Sequence, residues 1–181
     1  MTESVRRYER RDCFGSIKKF LELPNEPRIC VIYGLRRTGK TTMLFQTIQD
    51  MTAEDFSKTV YIKIEADDTM AGLNKDLQLL YDSGIRNVFI DEITLMSDFI
   101  DSSALLSDVY AAMGIKIILS GTDSLGFWLA KNQELYDRAY SIHTTFIPFR
   151  EYSRLLKKDD IDQYIRYGGT LRAGEIDFDD E

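Results

Sequence analysis

The residues best suited to chemistry form the string Gly34-Leu35-Arg36-Arg37-Thr38-Gly39-Lys40-Thr41, which fits the pattern GxxxxGK[ST]. Its glycines let a loop curl until successive backbone N–H groups face one anion, and a helix starting near Lys40 adds the partial positive charge of its amino terminus. Such a loop is a phosphate cradle. In this reading Lys40 reaches the β- and γ-phosphates, Thr41 gives its hydroxyl to Mg2+, and Thr42 supports the α-phosphate side.

A second group, Val88-Phe89-Ile90-Asp91-Glu92, is an apolar run that ends in two carboxylates. Paired acids at the carboxyl end of a buried strand are costly unless something uses their charge. Asp91 is expected to hold the hydration shell of Mg2+, and Glu92 to polarise a water for attack on the γ-phosphate. Taken alone, both acids also suit a solvated loop or a helix cap. A third group, Leu119-Ser120-Gly121-Thr122-Asp123-Ser124, follows another apolar run, and ligands in open α/β sheets bind beyond the carboxyl ends of strands. Ser120, or else Thr122 or Asp123, would sense phosphate or orient the water; a hydroxyl-rich turn capping the next helix accounts for the same residues.

These groups need a scaffold, and the chain supplies its pattern. Ile29-Cys30-Val31-Ile32-Tyr33, Val88 to Ile90 and Ile115 to Leu119 are largely continuous apolar runs, as in strands buried on both faces. Val60, Ile62 and Ile64 alternate with Tyr61 and Lys63, and Tyr140 to Ile147 alternates until Pro148, so these two read as edge strands. Between them Met43, Leu44, Ile48 and Met51, then Leu73, Leu77 and Leu80, then Phe99 to Met113 carry helical spacing. Residues 3 to 23 read as a helix or helix pair with solvated arginines, inside a lead-in of residues 1–28 that is broken at Pro24 and Pro27. Strand and helix signals alternate, which predicts an α/β fold: a parallel sheet of about five strands between two helical layers.

At 181 residues, with 44% hydrophobic and 29% charged residues, the chain suits one globular domain, here residues 1–172, with an acidic tail over 173–181. Its apolar runs are far shorter than the roughly 20 residues of a membrane helix, and its charged amino terminus lacks the core of an export signal. A cytoplasmic protein without membrane partners is expected. Cys13 and Cys30 lack metal-ligand spacing and read as reduced thiols, Cys30 in the core. A net charge of −7 argues against nucleic-acid binding by the whole surface, leaving only the segment Arg6 to Arg11 as a local basic patch among acidic neighbours.

The stretches ICVIYGLRRTGKTTML, VFIDEI, IILSGTDS, PFREY and YGGT, with Arg138 between the last strands, resemble AAA+-related bacterial and archaeal ATPases that carry a GLRRxGKT loop. The resemblance spans residues 8 to 172 in unbroken motif order. It implies a three-layer αβα P-loop fold with sheet order 5-1-4-3-2 and ATP with Mg2+ as ligands. It gives Gly34 to Thr42 as the binding loop, Thr41 and Asp91 as metal-side residues, and Lys40, Glu92 and Ser120 as catalytic ones. Arg138 is implied as a phosphate-sensing arginine, a surface salt bridge being the other reading. Similar proteins continue past the YGG segment into a helical or winged-helix region and a carboxyl-terminal domain. Residue 181 is therefore expected to mark an excised ATPase domain or a natural truncation.

Three functions fit these residues. One is an ATPase that hydrolyses ATP to drive a conformational change in a protein partner, a second copy or its own carboxyl-terminal region. Another is an ATP-dependent switch without turnover. The last is a small-molecule kinase, although no arginine-rich lid follows Ser120. No guanine-reading NKxD string is present. His143, the single histidine, reads as structural, and Phe127-Trp128 as a core pair on a helix.

Overall fold

The structure is a computed structural model that describes residues 8–99, 104–125, 138–167 and 170–171. The order of elements is α1 (Phe14–Glu22), β1 (Ile29–Tyr33), α2 (Lys40–Gln49), α3 (Ala53–Ser57), β2 (Thr59–Lys63), α4 (Met70–Asp82), β3 (Asn87–Asp91), β4 (Lys116–Gly121), β5 (Ala139–His143), α5 (Phe149–Leu156) and α6 (Ile161–Tyr167). All strand pairs are parallel, in the order β2-β3-β4-β1-β5. This is the expected three-layer P-loop architecture read from the opposite edge, with the two alternating strands outermost.

The continuous apolar runs follow from burial on both faces. Ile29, Val31, Val88, Ile90, Ile117 and Leu119 turn to one side, where α4 lays down Met70, Leu73 and Leu77. Cys30, Ile32, Phe89, Ile118 and Ile142 turn to the other, against Phe14, Ile17 and Phe20 of α1 and Met43 and Leu44 of α2. Each central strand thus feeds two cores, and no position can be polar until the strand ends.

Local structure departs from the sequence pattern in three places. Residues 8–13 are not helical, and the lead-in helix starts only at Phe14. β5 stops at His143, not Ile147: Thr144 turns its N–H (2.8 Å) and its hydroxyl (3.1 Å) to the carbonyl of Tyr33, and Phe146 takes a left-handed φ of 62°. Within the span expected as a regular helix from Phe99 to Met113, Leu106–Ala111 forms a π-helical turn. There the N–H groups of Ala112 and Ile115 reach back five residues, to the carbonyls of Ser107 and Tyr110. Trp128 and the acidic tail lie outside the described residues. Among the described residues no helix is long and apolar enough to cross a membrane.

Phe89 has no exposed surface and sits in the central strand β3. Phe89→Ala is expected to cost about 3–5 kcal/mol in urea unfolding, whereas Leu79→Ala on the open face of α4 should stay within about 0.5 kcal/mol.

Candidate functional site

The carboxyl ends of β1, β3 and β4 bring the three polar groups together. After Tyr33 the chain turns at Gly34, where a Cβ would collide with Thr144 Oγ1 and come within 2.9 Å of Thr145 Oγ1; no side chain fits there. The loop closes at Gly39, whose φ of 88° suits glycine and leads directly into α2. A cavity of about 320 Å3 opens in front of this helix start, lined by Arg36, Arg37, Gly39, Lys40, Thr41, Thr42 and Glu92. Gly34, Leu35 and Thr38 build its frame from behind. Thr38 Oγ1 lies within hydrogen-bond reach of the Leu35 carbonyl (2.9 Å) and of Thr144 Oγ1 (2.7 Å), while the Leu35 N–H donates to Thr145 Oγ1 (2.9 Å).

Lys40 donates from Nζ to the carbonyls of Gly34 (2.9 Å) and Leu35 (2.8 Å). Burial lowers the pKa of its ammonium, opposed by the charges of Glu92, Asp91 and Asp123. Asp91 is buried, and its two oxygens are fully engaged. Oδ2 accepts from Thr41 Oγ1 (2.7 Å) and Tyr61 OH (2.8 Å); Oδ1 accepts from the Ser120 hydroxyl and the Glu92 N–H (3.2 Å). Burial and this bond to Asp91 both push the Tyr61 hydroxyl well above its ordinary pKa. Glu92 itself takes a left-handed φ of 60°, uncommon for a residue with a Cβ, and lines the cavity.

Two expected site residues do not face the cavity. Ser120 is fully buried and spends its hydroxyl on Asp91, so it braces the carboxylate without facing the cavity. Arg138 lies beside Ile29 at the amino ends of the strands, where its carbonyl accepts the Ile29 N–H (2.9 Å) and its side chain pairs with Asp108. In a parallel sheet that is the end opposite the loop. Of the polar residues after β4, Asp123 instead joins the loop's frame, accepting from Thr145 Oγ1 (2.8 Å) and pairing with His143 (3.2 Å), whose ring stacks on Tyr33.

A second cavity of about 290 Å3 adjoins the first, sharing Arg37, Gly39 and Thr42 as walls. Its remaining lining comes from Tyr8, Glu9 and Arg11 of the amino segment, Met43 and Gln46 of α2, Leu155 and Leu156 of α5, and Leu171. Arg11, read in the sequence as solvated, is buried. Its Nε meets Glu151 Oε1 at 2.5 Å, and its Nη atoms donate to the carbonyls of Thr38 and Thr144. Glu151 also accepts the Asp12 N–H (2.8 Å). Arg10 is exposed and pairs with Asp50 (2.7 Å), which also pairs with Lys18 (2.6 Å).

A glycine-hinged loop at a helix start, a carboxylate bonded to the first hydroxyl of that helix and an acid at the next position point to one class of fold, and the family comparison decides it. The model of the AAA domain matches residues 26–153. The chain belongs to the AAA domain family. As an AAA domain it is a nucleotide-binding, ATPase-like domain on a P-loop fold. It is 30% identical over 159 residues to an uncharacterized protein of Methanocaldococcus jannaschii, an alignment covering 85% of this chain and 33% of that protein. Among solved structures it is similar in fold to Hsp104 of S. cerevisiae. In a casein complex in extended conformation the TM-score is 0.59 with 17% identity, over 92% of this chain and 33% of the other. In a closed-state reconstruction with ATPγS and casein it is 0.52 with 18% identity, over 92% and 30%. The chain thus spans about a third of the length of the proteins it matches.

Removing one partner of a buried ion pair strands the other's charge. Arg11→Ala and Glu151→Ala are each expected to lower unfolding free energy by about 3–5 kcal/mol. The double variant R11M/E151L should lose clearly less than the sum of the two, as measured by denaturant titration.

Proposed function

We propose that this domain binds Mg-ATP and hydrolyses it to ADP and phosphate, using the binding to change the position of a partner or of a further region of the protein. The observation that carries the reading is the junction of the two cavities at Arg37, Gly39 and Thr42, one polar and facing a helix start, the other flanked by Met43, Leu155, Leu156 and Leu171. A triphosphate suits the first and a flat aromatic base the second.

The residues present fit both groups. Backbone N–H groups at the start of α2 are free of helical partners and offer donors to an anion, and the left-handed φ of 88° that leads into them suits glycine at position 39. Mg2+ in such sites takes one or two protein oxygens beside phosphate and water, and the bonded pair Thr41 and Asp91 supplies that donor set. When bound, the ion would neutralise charge building on the phosphate oxygens. Lys40 would turn its ammonium from the loop carbonyls toward the bridging and terminal phosphates. Glu92, held by its backbone at the cavity wall, would orient a water and take its proton as the oxygen–phosphorus bond forms and the bond to the leaving ADP oxygen breaks. Tyr61 and Ser120 would keep Asp91 in place throughout.

Lys40→Ala should abolish Mg-ATP binding measured by calorimetry. Glu92→Gln should keep binding while phosphate release falls about a hundredfold or more. Unchanged turnover in Glu92→Gln would remove Glu92 from the reaction and favour a binding switch.

A further inference from the structure

We propose that the side chain of Arg36 is the ligand for the terminal phosphate, and that it makes the site discriminate a nucleoside triphosphate from a diphosphate. The inference rests on the Mg-ATP reading above and concerns a side chain that the loop's backbone chemistry does not require.

The first ground is charge. Lys40 stands in the field of three carboxylates, Glu92, Asp91 and Asp123. A triphosphate remains anionic even with its magnesium ion, so a site holding one ammonium against three carboxylates repels its own ligand unless further cations face it. The cations lining the phosphate cavity among the described residues are Lys40, Arg36 and Arg37.

The second ground is the count of donors. An ammonium has three N–H groups, and a Lys40 turned from the loop carbonyls must spread them over the bridging and terminal phosphates. Arg36 by contrast is exposed and makes no hydrogen bond or ion pair among the described residues. Its guanidinium is a planar fork that matches two phosphate oxygens at once.

The third ground is position. Arg37 borders both cavities, and its carbonyl is fixed by the Leu171 N–H at 2.7 Å. Arg36 borders the phosphate cavity and not the apolar one, and shares it with Glu92, the residue on the side of the attacking water. It therefore lies toward the end of the phosphate chain farthest from the base. Arg138 does not compete for this role, being paired with Asp108 at the other end of the sheet.

The test is calorimetric binding of Mg-ATP and Mg-ADP to the full chain, beside Arg36→Ala, Arg36→Lys and Arg37→Ala. Losing charge-assisted bonds to one phosphate should weaken Mg-ATP binding to Arg36→Ala by at least tenfold, with Mg-ADP binding within about twofold of wild type. Arg36→Lys should recover part of the loss, and Arg37→Ala should weaken both nucleotides alike. Thermal melting checks that the exposed substitutions leave the fold intact. Equal losses for ATP and ADP in Arg36→Ala, or none, would overturn the assignment while leaving the nucleotide site standing. Failure of the wild-type chain to bind either nucleotide would overturn the site and the assignment together.

Discussion

A carboxylate buried where β3 ends governs the rest of the site. Asp91 is 2% exposed, and a charge withdrawn from water to that degree is tolerated only with its oxygens satisfied. Its donors come from Tyr61 on β2, Ser120 on β4, Thr41 at the start of α2 and the backbone of Glu92. Meeting that demand fixes the ends of three adjacent strands against one another and pins the first turn of α2 to them. The phosphate loop then has its two ends placed, by β1 and by α2, before any ligand arrives. Glu92 inherits its left-handed backbone from the same turn, which sets it at the cavity wall.

The second anchor works on the opposite flank. Arg11 and Glu151 lie 140 residues apart in sequence, and their contact joins the amino segment to α5. Because the guanidinium also holds the Thr38 and Thr144 carbonyls, one side chain ties the loop, the chain after β5 and both walls of the apolar cavity into a single unit. Separating Arg11 from Glu151 in a low-dielectric setting is expensive, so the loop at Thr38 and α5 are held to one another through Arg11.

What was legible in the sequence was whatever depends on neighbours in the chain. Continuous apolar runs identified β1, β3 and β4 because two cores demand them, and alternation identified the edge strands because one side is partly wet. The loop 34–41 was legible as a pattern whose context, strand before and helix after, is itself local. Arg11 was not, since spacing of four from Arg7 looks like a solvated helix and its burial depends on a partner in a distant helix. Tyr61 was hidden in the same way: its alternation placed it in an edge strand, but only the pairing of Lys63 with Asp91 at the end of the β2 and β3 register brings its hydroxyl to the carboxylate. The helices α3, α5 and α6 run only 5, 8 and 7 residues, too short for helical spacing to repeat, and the end of β5 was obscured by apolar Phe146 continuing its alternation.

Ser120 and Arg138 show where motif order stops being informative. Motif order gives the sequence of segments, but the meaning of a side chain depends on which end of the strand it occupies and which way it turns. Ser120 is at the right end and turns sideways into Asp91, so its polar atom serves the neighbouring strand. Arg138 precedes β5, and five residues at about 3.3 Å each put roughly a strand's length between it and the loop that follows the parallel partner β1. No rotamer of an arginine at that position bends around the sheet to reach its own chain's phosphate cavity. The cationic demand of that cavity falls to groups at the carboxyl ends of the strands, and among the described residues the cations that line it, Arg36, Arg37 and Lys40, lie on the loop and at the start of α2.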